Sequence, residues 1–98
     1  MARRFVEFHP EAITEAGAAA EWYRQRSQDA ANRFLEELDR AIERIADAPS
    51  RWPAFRHGTR RFLLRRFPFS VVYREAGETV QVIAVAHGRR KPGYWKGR

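Results

Sequence analysis

The rhythm of apolar and polar positions changes twice along this chain. From Arg3 to Phe8, charged and apolar residues alternate imperfectly, with Phe5 and Phe8 as the inward-facing candidates, and the run stops at His9-Pro10. Proline cannot donate to a sheet ladder and biases its predecessor toward extended backbone, so the pattern predicts a short first strand that ends there. Pro10 suits the first turn of a helix, and Ile13, Ala16, Ala20 and Tyr23 then recur at helical spacing as far as about Arg26. Ser27 and Asp29 are both candidate N-caps for a second helix. Its stripe is Ala31, Leu35, Leu38, Ile42 and Ile45, and Asp47-Ala48-Pro49 closes it.

Beyond residue 60 the period shortens. Arg61 to Arg65, Phe69 to Arg74 and Thr79 to Ala86 are three β-rich runs, and Ala76-Gly77 marks a tight hairpin turn between the second and third. Val82 to Ala86 is apolar at every position, the mark of an interior strand. Phe62 and Leu64 instead alternate with arginines, as in a half-exposed strand. On that strand Arg61 and Arg65 should share one face and Arg60 and Arg66 the other. Pro49, Trp52, Pro53 and Gly58 make residues 48–59 a connecting loop. The predicted order is β-α-α-β-β-β, an α+β fold with a mainly antiparallel sheet packed against an α-hairpin. With 98 residues there is material for one core, so residues 1–98 are read as a single domain.

Charge sharpens this picture. Residues 1–50 carry seven Arg against ten Asp or Glu, and residues 51–98 carry twelve Arg or Lys against two Glu. The C-terminal half therefore suggests an acidic partner, with nucleic acid, an acidic protein segment and an anionic membrane as the candidates. The absence of Cys excludes disulfides and thiolate chemistry, and His9, His57 and His87 are too scattered to form a metal-ligand set, so neither metal nor cofactor is expected. No apolar run approaches a bilayer span, and Arg3-Arg4 is not followed by the apolar stretch of a signal peptide. These features point to the cytoplasm and away from a membrane.

Candidate chemistry gathers where the last strand ends. His87-Gly88-Arg89-Arg90-Lys91-Pro92-Gly93-Tyr94-Trp95 places an imidazole, three cations, a phenol and an indole within nine residues. Arginines clamp phosphates or carboxylates, aromatics stack on bases, and a His or Tyr can move a proton in metal-free RNA cleavage. The same residues also suit a packed tail, with Tyr94 and Trp95 anchoring it and the arginines keeping an edge soluble. Arg61 and Arg65 are open to a comparable pair of readings, a phosphate-lining row or salt bridges to the helices. Glu21, Glu36 and Glu37 read as a solvated helix face. Phosphate loops and nucleophile elbows are absent.

Four segments together resemble the RelE/ParE superfamily of toxins from type II toxin–antitoxin systems. They are His9-Pro10-Glu11-Ala12, the helix pair ending in Ala48-Pro49, Arg65 to Tyr73 with its F-P-F-x-V-x-Y pattern, and Val82 to Trp95 ending H-G-R-R-x-P-x-Y-W. The resemblance implies a toxin neutralised by a cognate antitoxin protein, with one of two activities. ParE-type members inhibit DNA gyrase, and RelE-type members cut mRNA on the ribosome. RelE-type nucleases place a catalytic Arg just before the V-x-Y, where this chain has Ser70, and a Lys-rich loop where it has Arg51, Arg56 and His57. Tyr94 and Arg90 do match RelE-type positions, and His87 could supply an acid or base. In a nuclease, His87, Arg90 and Tyr94 would be catalytic. In a ParE-like toxin, Arg61, Arg65, Arg89, Arg90, Lys91 and Trp95 would bind the target. The H-G-R-R-x-P-x-Y-W ending tips the resemblance to the ParE-like branch. A non-toxic basic module that binds nucleic acid or an antitoxin is the third alternative.

Overall fold

The computed structural model describes residues 3–98. Strand β1 (Phe5–Phe8) leads into helix α1 (Pro10–Arg24), helix α2 (Gln28–Asp47), two 3-10 turns (Pro49–Arg51 and Arg56–Gly58), and strands β2 (Arg60–Leu63), β3 (Phe69–Ala76) and β4 (Thr79–His87). The sheet order is β1-β4-β3-β2, with β1 parallel to β4 and the other pairs antiparallel. Both helices lie on one face, giving the two-layer α+β arrangement that the element order predicts.

Local chemistry sets the boundaries. His9 caps α1 with extended backbone, its Nδ1 accepting from the Glu11 N–H at 3.1 Å, and its own N–H donates to the Val82 carbonyl at 2.9 Å. Helix α1 thus starts fixed to the central strand. Of the two candidate caps for α2, Ser27 is the one used, its Oγ accepting from the Ala30 N–H at 3.3 Å, while Asp29 sits in the first turn and pairs with Arg33. The hairpin turn is Gly77-Glu78, one residue later than Ala76-Gly77, because β3 stays paired through Ala76 and Gly77 supplies the positive φ of +63°.

The main core packs Phe34, Leu38 and Ile45 of α2 and the alanines of α1 against Val71, Tyr73, Val80, Val82 and Val85. Two predicted stripes are rotated. Ile13 is 60% exposed, and α1 packs through Ala12, Ala16, Ala19 and Ala20, whose small side chains let it lie close to β4. On α2, Leu35 lies at the margin and Phe34 takes the fully buried position. In β1 the residue on the core is Val6, and Phe5 and Phe8 are exposed at the sheet edge.

The opposite sheet face also has a core, in which Val72, Ile83, Ala84 and Ala86 pack beneath Trp95. A β-bulge makes this possible. Val72 pairs with Ala84 but Tyr73 pairs with Val82, so Ile83 is an extra residue in β4. The side-chain alternation reverses across it, which turns both Val82 and Val85 toward the helices and leaves Ile83 and Ala84 together on the far face.

Candidate functional site

The site is built from the tail that follows β4. The Gly88 N–H donates to the Pro68 carbonyl at 2.7 Å, and successive turns, Arg90 to His87, Tyr94 to Lys91 and Lys96 to Gly93, fold the tail back over the sheet. Trp95 becomes 2% exposed and stacks on Phe55 at 5.4 Å. That removes it from the surface, so the expectation that Trp95 contacts a target is corrected. Its indole is needed to cover the far face of β3 and β4.

Glu15 of α1 holds this tail. Strand β1 ends opposite Val82, which leaves the edge of β4 beyond that point without a strand partner. The Glu15 carboxylate takes over as acceptor there, receiving the Val85 N–H at 3.0 Å, the Tyr94 hydroxyl at 2.7 Å and both terminal nitrogens of Arg98 at 3.0 Å. Arg98 also donates to the Ile83 carbonyl at 3.2 Å. The Glu15 and Arg98 side chains are only 14% and 15% exposed, so this ion pair is shielded from the screening that weakens surface pairs. Burial first, and then the hydrogen bond to Glu15, push the Tyr94 phenol well above its ordinary value. Tyr94 is thereby held as a neutral donor, a state ill suited to general-base chemistry.

The Arg90 guanidinium lies 3.7 Å over the Tyr94 ring, in cation–π geometry. His87 stands edge-on to Phe69 at 5.0 Å, and its Nδ1 accepts from the Arg89 N–H at 3.0 Å, which assigns the proton of the neutral ring to Nε2. His87 and Arg90 line a cleft of about 410 Å³ together with Glu15, Trp22, Tyr23 and Phe69. Trp22 is 51% exposed and carries Arg26 stacked at 3.4 Å. The cleft walls are otherwise apolar, so it can seat a large apolar side chain beside the charged Glu15 and Arg90 and the His87 ring.

The predicted residues thus divide. His87, Arg90 and Tyr94 come together, and Arg89 and Lys91 are exposed on the turn next to them. Arg61 lies elsewhere, stacked 4.1 Å over Phe55 on the far face. Arg65 shares no strand face with Arg61, because β2 stops at Leu63 and residues 65–68 bend. There the Glu37 carboxylate accepts the backbone N–H groups of both Arg65 and Arg66, so Glu37 pins the β2–β3 loop and is not part of a merely solvated face. Ser70, in the position of the nuclease arginine, is buried against the far-face core.

Glu15 was not among the sequence candidates. Its signal was an acid in register with the alanine stripe, three residues after Ala12 and four before Ala19, where a carboxylate enters a helix–sheet interface only with partners. Trp22, half exposed on α1, forms one wall of the cleft.

Comparison with known proteins fits this architecture. A chain titled "Chromosomal ParDE TA system from P. aeruginosa" superposes with a TM-score of 0.76 at 17% identity, covering 87% of this chain and 96% of that one, a likeness of fold. "Toxin ParE2" of two Mycobacterium tuberculosis strains, CDC 1551 / Oshkosh and H37Rv, is 38% identical over 56 residues, which is 56% of this chain. The match spans about half (52%) of the length of those relatives. The family model described as the ParE toxin of the type II toxin-antitoxin system parDE matches residues 6–92, from β1 through the Arg89-Arg90-Lys91 turn, and on that match the chain belongs to the ParE toxin family.

Proposed function

We propose that this protein arrests bacterial growth by inhibiting DNA gyrase in the cytoplasm, and that a cognate antitoxin encoded with it neutralises the activity. The observation that carries the target choice is the pairing of Tyr94 with Glu15, in a chain whose family match runs from residue 6 to residue 92. A nuclease acting through Tyr94 needs a phenol free to exchange its proton, and a guanidinium at the position of Ser70 to neutralise the phosphorane. Here the phenol is committed to a carboxylate and Ser70 is a short buried hydroxyl. Arg89, Arg90 and Lys91, ordered on one turn beside an apolar cleft, act as a binding surface in this reading. Among the described residues no helix is long and apolar enough to cross a membrane.

The antitoxin segment enters through the cleft between α1 and the end of β4. Its apolar walls, with Arg90 at the rim, suit a segment that brings one large apolar side chain flanked by acidic residues.

Pulse labelling of DNA and protein synthesis in the minutes after induction without antitoxin tests the target. Early loss of DNA synthesis with a damage response is the expected result. Early loss of protein synthesis would assign the chain to ribosome-dependent mRNA cleavage, and the absence of growth arrest would make it a non-toxic binding module.

A further inference from the structure

The other flank of the helix hairpin carries a feature that the target reading does not use. Between α2 and the β2–β3 loop runs a groove of about 490 Å³ lined by Arg40 and Arg44 of α2 and by Arg65 and Arg66 of the loop. Among the described residues none of these four guanidiniums is ion-paired. Two carboxylates share the groove, Glu36 and Glu37, and Glu37 accepts the backbone N–H groups of Arg65 and Arg66, so four cations face two anions there. Arg33, at one end, is paired with Asp29.

All four guanidiniums are exposed and open to an external anion. Arg40 and Arg44 are one helical turn apart, a spacing at which like charges repel. The Arg44 guanidinium lies 5.6 and 5.7 Å from the ring centroids of Trp52 and Phe62, which favours its place along the groove wall. The loop that presents Arg65 and Arg66 is pinned by Glu37. Four cations are therefore displayed from two anchored elements across one channel, and guanidinium forks match phosphate oxygens.

We infer that this groove binds the phosphodiester backbone of duplex DNA. Charge alone would also admit an acidic peptide, but a peptide interface is secured by apolar anchors, and this groove's apolar residues, Ala41 and Phe62, are buried in the core. The apolar cleft on the α1 flank has the opposite character. A groove rimmed by arginines, whose two apolar lining residues are buried, fits the polar, positive interfaces made with nucleic acid. The preference for DNA over RNA rests on the gyrase reading, because an inhibitor of that enzyme works where duplex DNA is already bound. The groove adds a direct hold on that DNA.

Fluorescence anisotropy of the purified chain with a labelled duplex of about two helical turns tests this without gyrase. Four phosphate contacts predict a slope of log affinity against log salt of about −3.6. The double variants Arg40→Ala/Arg44→Ala and Arg65→Ala/Arg66→Ala should each flatten it by about 1.8. Glu36→Gln, which removes a negative charge from an exposed position, should tighten binding, and thermal melts of all variants establish that they fold. The inference is overturned if the duplex does not bind, if the slope ignores the groove variants and follows Arg89→Ala/Lys91→Ala, or if an RNA duplex or a poly-glutamate peptide binds more tightly. DNA binding with no effect on gyrase would overturn the target reading and leave the groove standing, and gyrase inhibition without DNA binding would do the reverse.

Discussion

The Glu15 carboxylate accepts the Tyr94 hydroxyl at 2.7 Å across 79 residues of sequence, and this bond joins the first helix to the tail that carries Arg89, Arg90 and Lys91. Glu15 also holds Arg98 and the Val85 N–H, so its loss leaves a cation and two donors without their acceptor in a partly buried place. Glu15→Ala should lower stability by about 2–3 kcal/mol, and Glu15→Gln by less, because the amide oxygen still accepts. Urea midpoints check this, and limited trypsin digestion should cut the variant's tail first. A Glu15→Ala midpoint equal to the parent's would mean that the latch contributes nothing.

Tyr94→Phe separates holding from proton transfer. The ring remains beneath Arg90, at the 3.7 Å stack, and only the hydroxyl is lost, with Glu15 still paired to Arg98. The expected cost is about 1 kcal/mol, with growth arrest retained on induction. His87→Gln should behave likewise. Abolished toxicity in both variants, with melting temperatures near the parent's, would restore a catalytic role for the tail and sink the binding-surface reading.

The fold was largely legible because its strongest signals are local. Pro10 after an extended run, Ser27 before an apolar stripe, Pro49 after another, and the unbroken apolar run Val82 to Ala86 each report one boundary or one buried strand. What remained hidden depends on pairing across long separations. No local pattern announces that Ile83 is an extra residue, so the assignment of β4 side chains to faces could not be read. Ile13 read as the first member of the helical stripe, and only the packing of α1 on β4 shows that the core face is the alanine row Ala12, Ala16, Ala19 and Ala20. The site was half legible for the same reason. A dense run such as His87 to Trp95 draws attention to itself, whereas Glu15 gains its role from partners 70 to 83 residues away.

Gly93 is fixed by its neighbours. Its φ is +88°, and a Cβ built there would sit 2.9 Å from Nε2 of His57, itself a left-handed residue at φ 60°, ψ 40°. Gly93→Ala should destabilise by about 1–2 kcal/mol from backbone strain and the clash together. Adding His57→Gly removes the clash and the left-handed side chain, so the double variant should regain part of the loss. A double-mutant cycle on urea midpoints measures the coupling. Strict additivity would show that the contact between His57 and Gly93 is energetically empty.

Tyr73 should make the protein lose stability at alkaline pH. Its ring is fully buried and its hydroxyl donates to the Pro49 carbonyl at 2.6 Å, which ties the turn after α2 to the central sheet. Burial is the main reason the phenol is pushed up to about 12 from an ordinary 10.0, with Arg60 lowering it and Glu75 raising it by smaller amounts. The folded state therefore keeps this proton where the unfolded chain has released it. The stabilisation is complete below pH 10 and is lost as the pH rises through about 12, a fall on the order of 2–3 kcal/mol for a shift of this size. Tyr23 and Tyr94 are also raised and add slope of the same sign. Tyr73→Phe should cost about 1 kcal/mol at neutral pH through the lost hydrogen bond, and should make the decline between pH 9.5 and 11.5 shallower. Urea midpoints across that window decide it. A variant curve parallel to the parent's would mean that the Tyr73 proton plays no part in the alkaline loss of stability.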